Sequence, residues 1–141
     1  MIVERASALP RAARVTALAE RYLAALNGGD ADRVLALFHE DATVEDPVGG
    51  TLLRGLTDIE PFYRRAMARD LRVELDAPIR GSHGDCAAYA MRVMLAEMTL
   101  AVIGVLTFDA EGLITEMRAY HGPSDITAHG ARQSVSSNIA T

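Results

Sequence analysis

The chain has 141 residues, half of them hydrophobic and about a quarter charged, which suits one soluble globular domain with a proper core and leaves too little for two. Its 14 basic and 19 acidic side chains leave a net charge of −5, with the basic residues scattered, which argues against a nucleic-acid partner. Cys86 is the single cysteine, so no internal disulfide is possible, and its strand-like surroundings read as those of a small buried apolar residue. The N-terminus lacks the apolar core of a signal peptide, and the longest apolar run, Leu100 to Leu106, is far too short to cross a bilayer. A cytoplasmic protein with no membrane partner is the expectation.

Residues 11–27 carry Val15, Leu18, Tyr22, Ala25 and Leu26 on one face of a predicted helix. Asn27-Gly28-Gly29 ends it, and Asp30 can cap a second helix running to about Glu40. Strands are expected at 42–46 and 51–54. Thr57-Asp58-Ile59-Glu60 then reads as a capping box that opens a third helix to about Ala68.

From Leu71 the pattern changes to strands over 71–80, 86–97, 99–109 and 113–120, parted by Gly81-Ser82-His83-Gly84-Asp85 and Asp109-Ala110-Glu111-Gly112. Helices first and a meander of strands after them predict an α+β fold, with the helices on one face of an antiparallel sheet. One domain is expected over 1–122, followed by a polar, fraying tail over 123–141. In 100–106 both strand faces are apolar. One can line the interior and the other needs cover, for which a second copy of the chain is the simplest source: a homodimer through the sheet.

The first strand carries the oddest residue. Val44 and Asp46 share one face, while Thr43 and Glu45 share the other. If Val44 faces the core, Asp46 does too. A carboxylate aimed at an apolar interior is costly unless paired or employed. Asp46 therefore has two readings, a turn-capping residue before Pro47 or a general base. Tyr22, on the apolar face of the first helix, likewise reads as a core tyrosine or as a donor to something inside the cavity. Glu45, on the opposite face, should be solvated. His39, His83 and His129 show no metal-ligand spacing, so no metal is expected.

The runs Phe38-His39-Glu40-Asp41-Ala42-Thr43-Val44-Glu45-Asp46-Pro47-Val48-Gly49, Leu53-Arg54-Gly55 and Phe62-Tyr63-Arg64 together resemble the bacterial delta-5-3-ketosteroid isomerases. The likeness extends through Ala77-Pro78-Ile79-Arg80-Gly81-Ser82-His83, Phe108-Asp109-Ala110-Glu111-Gly112 and Met117-Arg118-Ala119-Tyr120, and covers roughly residues 15–121. It implies the cone-shaped nuclear-transport-factor-2-like (cystatin-like) fold, three N-terminal helices on a curved, mostly antiparallel sheet. It also implies an activity that uses no cofactor. An aspartate carries a proton from carbon 4 to carbon 6 of a 3-oxo-delta-5-steroid through a dienolate, whose oxygen is held by a tyrosine and a protonated aspartic acid.

By this resemblance Asp46 matches the base, Tyr22 the oxyanion donor, and Tyr63 a supporting tyrosine bonded to the first. A third tyrosine of some family members is Phe38 here. Leu26, Phe62, Met91, Leu100, Val102, Gly104, Met117 and Ala119 are expected to line a flat apolar cavity for a small steroid-like ligand.

Two departures stand out. Gly104 falls where the family has its second donor, an aspartic acid, and losing one such donor typically costs about 10²–10³ in turnover. Water in the vacated volume, a slower isomerase, or a pocket turned to another ligand would each follow. On this reading Gly104→Asp should raise turnover. His121 replaces a pocket aromatic. It reads as a strand-end histidine in solvent or as a partner that hydrogen-bonds Asp46 and lowers its pKa.

The leading expectation is an isomerase of reduced activity. The alternatives are a polyketide cyclase or dehydratase using Asp46 with His121, and a steroid or lipid carrier without chemistry. An epoxide hydrolase of this fold would need an Asp-Arg-Asp pocket, and Arg92 points away from Met91 with no second acid beside it.

Overall fold

The computed structural model describes residues 2–129, with side chains from residue 10 onward. Helix α1 (Ile2–Asn27) turns Val15, Ala19, Tyr22, Leu23 and Leu26 inward at helical spacing. It ends where Gly29 takes a left-handed φ of 76°. The Asn27 side chain donates to the carbonyl of Val73 and accepts from its N–H, tying the end of α1 to the sheet.

Helix α2 (Ala31–Leu35) is capped by Asp30, whose side chain accepts from the N–H of Asp32. It is shorter than its residues predict. Strand β1 (Phe38–Glu45) starts four residues earlier than expected, because Phe38 pairs with Ile114 in the sheet. Tertiary pairing overrides the local helical pattern there.

After β2 (Leu52–Arg54), helix α3 (Gly55–Met67) also starts earlier than the expected box at Thr57. The Asp58 carboxylate reaches back to accept from the N–H of Arg54 at 3.0 Å and satisfies the helix end that way.

The expected strand over 71–80 is two short ones, β3 (Arg72–Leu75) and β4 (Arg80–Gly81). Pro78 between them has no N–H for a ladder. Strands β5 (Cys86–Met94), β6 (Met98–Phe108) and β7 (Ile114–Tyr120) complete the meander. The path across the sheet is β2-β1-β7-β6-β5-β3, with β1 and β7 parallel and the other pairs antiparallel.

Two further expectations need correction. The segment after Tyr120 is not all tail. A 3-10 turn (Pro123–Asp125) leads into β8 (Ile126–Ala128), which pairs with residues 98–100 of β6, where the edge beyond β7 is open. Thr99 Oγ1 and His129 Nε2, 2.6 Å apart, close that pairing. Residues 130–141 of the expected tail lie outside the described residues. Cys86, read as core, is half-buried at the start of β5, because Ala87 takes the inward position.

Burial alternates along β6. Leu100, Val102, Gly104, Leu106 and Phe108 face in, while Ala101 and Ile103 face out. The inner face, with α1 and α3 across it, encloses one hydrophobic core. None of the described helices is long and apolar enough to cross a membrane.

Candidate active site

Val44 is fully buried at the end of β1 and anchors the strand, which delivers Asp46 to the same side. The turn after it is held at both ends. Val48 N–H donates to the Ala119 carbonyl at 2.8 Å, and Gly49 N–H donates to the Glu45 carboxylate at 2.9 Å. Glu45 also lies 3.5 Å from Arg118, so it clamps the turn instead of sitting free in water as its position suggested.

Asp46 and His121 meet in the wall of an apolar cavity of about 340 Å³, lined by residues of α1, α3 and the inner sheet face. His121 Nε2 is 2.8 Å from Asp46 Oδ1, and only 12% of the histidine side chain is exposed. The solvent reading of His121 therefore fails. Burial raises the Asp46 pKa above the usual carboxylate value, while the hydrogen bond and charge of His121 lower it. The net direction is upward. The histidine acts in the direction expected of such a partner, and desolvation outweighs it.

Two phenols also line the cavity. Tyr22 from α1 and Tyr63 from α3 are each 2% exposed, and their hydroxyl oxygens are 2.6 Å apart. Phe38 packs edge-on against Tyr22, with ring centres 6.2 Å apart, and tilts against Tyr63 at 5.5 Å. Burial is the largest influence on both phenols and pushes both well above their ordinary pKa. They stay protonated near neutrality and can act there only as hydrogen-bond donors or acceptors.

Leu26, Phe62 and Met91 lie in the cavity wall, as do Leu100, Val102, Met117 and Ala119. Leu71, Val73, Val93, Leu95 and Met98 extend the wall, and sequence alone does not single them out. Their alternation marks them only as inward-facing, and it takes the sheet's curvature to separate cavity from core. Among the described residues Asp46 is the only carboxylate in the wall; the other charged ones there are the exposed Arg65 and Arg69, the latter paired with Glu97. Among the described residues no three His, Cys, Asp or Glu side chains converge as a metal site would require.

Gly104 is the exception to the expected wall. It is absent from the cavity surface, and its inward side is covered by Tyr89 of β5, its direct partner across the sheet. A β-carbon placed on Gly104 would stand 2.5 Å from two ring carbons of Tyr89. The volume expected to hold water or a restored aspartate is occupied by a phenol ring. Sequence parity places Tyr89 on the face of Met91, yet only the β5–β6 register lays it over Gly104.

Arg92 points outward and pairs with Glu74 and Asp76, so it takes no part in the cavity.

These features define a class: a cone-shaped α+β protein whose apolar cavity is lined, among the described residues, by one carboxylate and a hydrogen-bonded phenol pair. The chain belongs to the SnoaL-like family, within the nuclear-transport-factor-2-like fold; the SnoaL-like domain matches residues 19–117. It is 42% identical over 118 residues to the Steroid Delta-isomerase of Nocardioides simplex, a match covering 81% of this chain and 94% of that protein. It is also 31% identical over 135 residues to the epoxide hydrolase LasB of Streptomyces lasalocidi, covering 78% of this chain and 48% of LasB, so the chain spans about half of that relative. Among solved structures, the epoxide hydrolase/cyclase-like enzyme SalBIII, described for pyran ring formation in the polyether salinomycin, superimposes with a TM-score of 0.75 at 24% identity. That likeness covers 79% of this chain and 93% of SalBIII, and it establishes the fold.

Proposed function

We propose that the chain is a steroid Delta-isomerase, moving the double bond of a 3-oxo-delta-5-steroid into conjugation. The observation that carries this is the placement of Asp46, the lone carboxylate among the described residues lining an apolar cavity that Tyr22 and Tyr63 also line. The 42% identity to the Nocardioides simplex enzyme supports it.

Asp46 in its ionised form takes the proton from carbon 4, the electrons pass to the ketone oxygen as a dienolate, and the carboxylic acid returns the same proton to carbon 6. No atom is gained or lost. A desolvated carboxylate of raised pKa is a stronger base than one in water, which suits removal of a weakly acidic carbon proton. Each phenol carries one proton. Tyr22 can donate to the dienolate oxygen while its own oxygen accepts from Tyr63, so the pair stabilises charge where it develops.

The test is direct. The protein is mixed with a 3-oxo-delta-5-steroid, and the conjugated enone is followed by absorbance. A rate that disappears in Asp46→Asn supports the isomerase, and steroid binding without any enone supports a carrier.

A second reading rests on the Asp46–His121 pair. Such a pair can activate water or a hydroxyl; the likeness to LasB, named an epoxide hydrolase, fits a hydrolase, and a polyketide cyclase using Asp46 with His121 is the related alternative. It would be favoured if no enone formed while an epoxide-bearing polyketide was turned over.

The outer sheet face fits a second copy of this chain. Ile103 (48% exposed) and Tyr120 (41% exposed) pair across β6 and β7 there, as an apolar patch that self-association would cover.

A further inference from the structure

Tyr89 is 3% exposed, and its hydroxyl is the one buried side-chain polar atom without a hydrogen-bond partner among the described residues. Such an orphan is a net cost to the fold, because the hydroxyl gives up its bonds to water and gains none. Phenylalanine would cover Gly104 equally well at no such cost, so packing accounts for the ring and leaves the oxygen unexplained.

The position of that oxygen is specific. It lies 2.7 Å from where a β-carbon on Gly104 would stand, so any side chain at 104 would have to start where the phenol now is. The glycine and the tyrosine form a single device, with Gly104 bare so that Tyr89 can reach past it. The hydroxyl also belongs to the site electrostatically. After burial itself, the neighbours acting on the Tyr89 phenol are Tyr22 and Asp46, and Tyr63 in turn is affected by Tyr89.

A proton count adds to this. When Tyr63 donates to Tyr22 and Tyr22 donates to a ligand, both of those protons are committed. The proton of Tyr89 is committed to nothing. Tyr89 is itself outside the cavity surface, but Ala119, the sheet partner of Gly104, lines it, so a ligand oxygen pressed against that wall can supply the acceptor.

We propose that Tyr89 is a further hydrogen-bond donor of this site, its unpartnered hydroxyl donating past Gly104 to the anionic oxygen of a bound enolate- or phenolate-like ligand, alongside Tyr22. This rests on the reading of the cavity as one that holds an oxyanion. It replaces the picture of a site with one donor missing. The second donor comes from the neighbouring strand, and it is a phenol where the resemblance leads one to look for a carboxylic acid.

The experiment compares the full-length protein with Tyr89→Phe, which keeps the ring and removes only the oxygen. The probes are a steroid with a naphthol ring, whose ionised fraction when bound is read by absorbance, and its deoxy analogue without the hydroxyl. Tyr89→Phe should lower affinity for the naphthol steroid about tenfold to a hundredfold and reduce its ionised fraction, as expected for one hydrogen bond to a charged group. Affinity for the deoxy analogue should hold, and Tm should stay level or rise, since the orphan is gone.

Equal losses for both probes would reduce Tyr89 to a packing residue and overturn the proposal. So would an unchanged naphthol affinity, or a fall in Tm revealing a partnered hydroxyl. Because neither probe is turned over, the result is independent of the isomerase assay. A wild-type protein that forms no enone, yet loses naphtholate binding in Tyr89→Phe, would sink the isomerase reading and leave this donor in place.

Discussion

Nε2 of His121 lies 2.8 Å from Oδ1 of Asp46, joining residues 75 positions apart, one just past the end of β1 and the other just past the end of β7. The parallel pairing of those strands brings them together, with Val44 opposite Met117 and Glu45 opposite Arg118. The contact tempers the basicity of the one carboxylate that lines the cavity among the described residues. Desolvation drives the Asp46 pKa up, and the histidine restrains it.

His121→Phe should therefore shift the acid limb of kcat/KM to higher pH. The base must be ionised to act, and removing both the hydrogen bond and the charge of His121 takes away what lowers the Asp46 pKa. A pH–rate profile of the two proteins checks this. A limb that stays in place would mean the pair does not tune the base.

Asp46→Asn should lower turnover by about 10²–10⁴-fold, the usual worth of a general base. It should also raise thermal stability at neutral pH. A carboxyl whose folded pKa is raised contributes stability that is fully present below its unfolded pKa and is lost as pH rises through the folded value. Asparagine carries no such pH-dependent loss. Melting curves at neutral pH and in the ordinary carboxylate range should show the gain shrinking on acidification, and an equal gain at both pH values would contradict the linkage.

Gly104→Asp should destabilise the fold and fail to raise turnover, contrary to the expectation from sequence alone. The new β-carbon would meet the Tyr89 ring at 2.5 Å, and overpacking of this kind typically costs about 1–3 kcal/mol. Gly104→Ala separates volume from charge and should show most of the same loss of Tm. A stable, faster Gly104→Asp protein would show that the ring moves aside freely.

Ile103→Arg tests the outer sheet face. Light scattering coupled to size exclusion should give a dimer for the wild-type chain and a monomer for the variant, with folding retained, because Ile103 is 48% exposed on the side away from the cavity. A wild-type monomer at working concentrations would remove the dimer from consideration.

Features that depend on residues close in sequence are legible in the amino-acid order alone. The alternation of Val44 and Asp46, the helical spacing of Val15, Tyr22 and Leu26, and the Asn27-Gly28-Gly29 stop all depend on local geometry. Elements whose limits depend on distant partners are not legible in this way. Phe38 joins a strand because Ile114 is there to pair with it, and residues 126–128 become strand because residues 98–100 offer an open edge.

The sequence by itself determined that helices precede a run of strands, that Tyr22 shares the apolar face of the first helix and that Asp46 shares the face of Val44, because side-chain period and chain order follow from covalent geometry. Tertiary structure alone decided that His121 touches Asp46, that burial outweighs it, and that Tyr89 fills the space above Gly104. Those outcomes turn on strand register and on how completely water is excluded. Both are set by contacts between residues far apart in the chain, where a shift of one residue would turn each side chain to the opposite face.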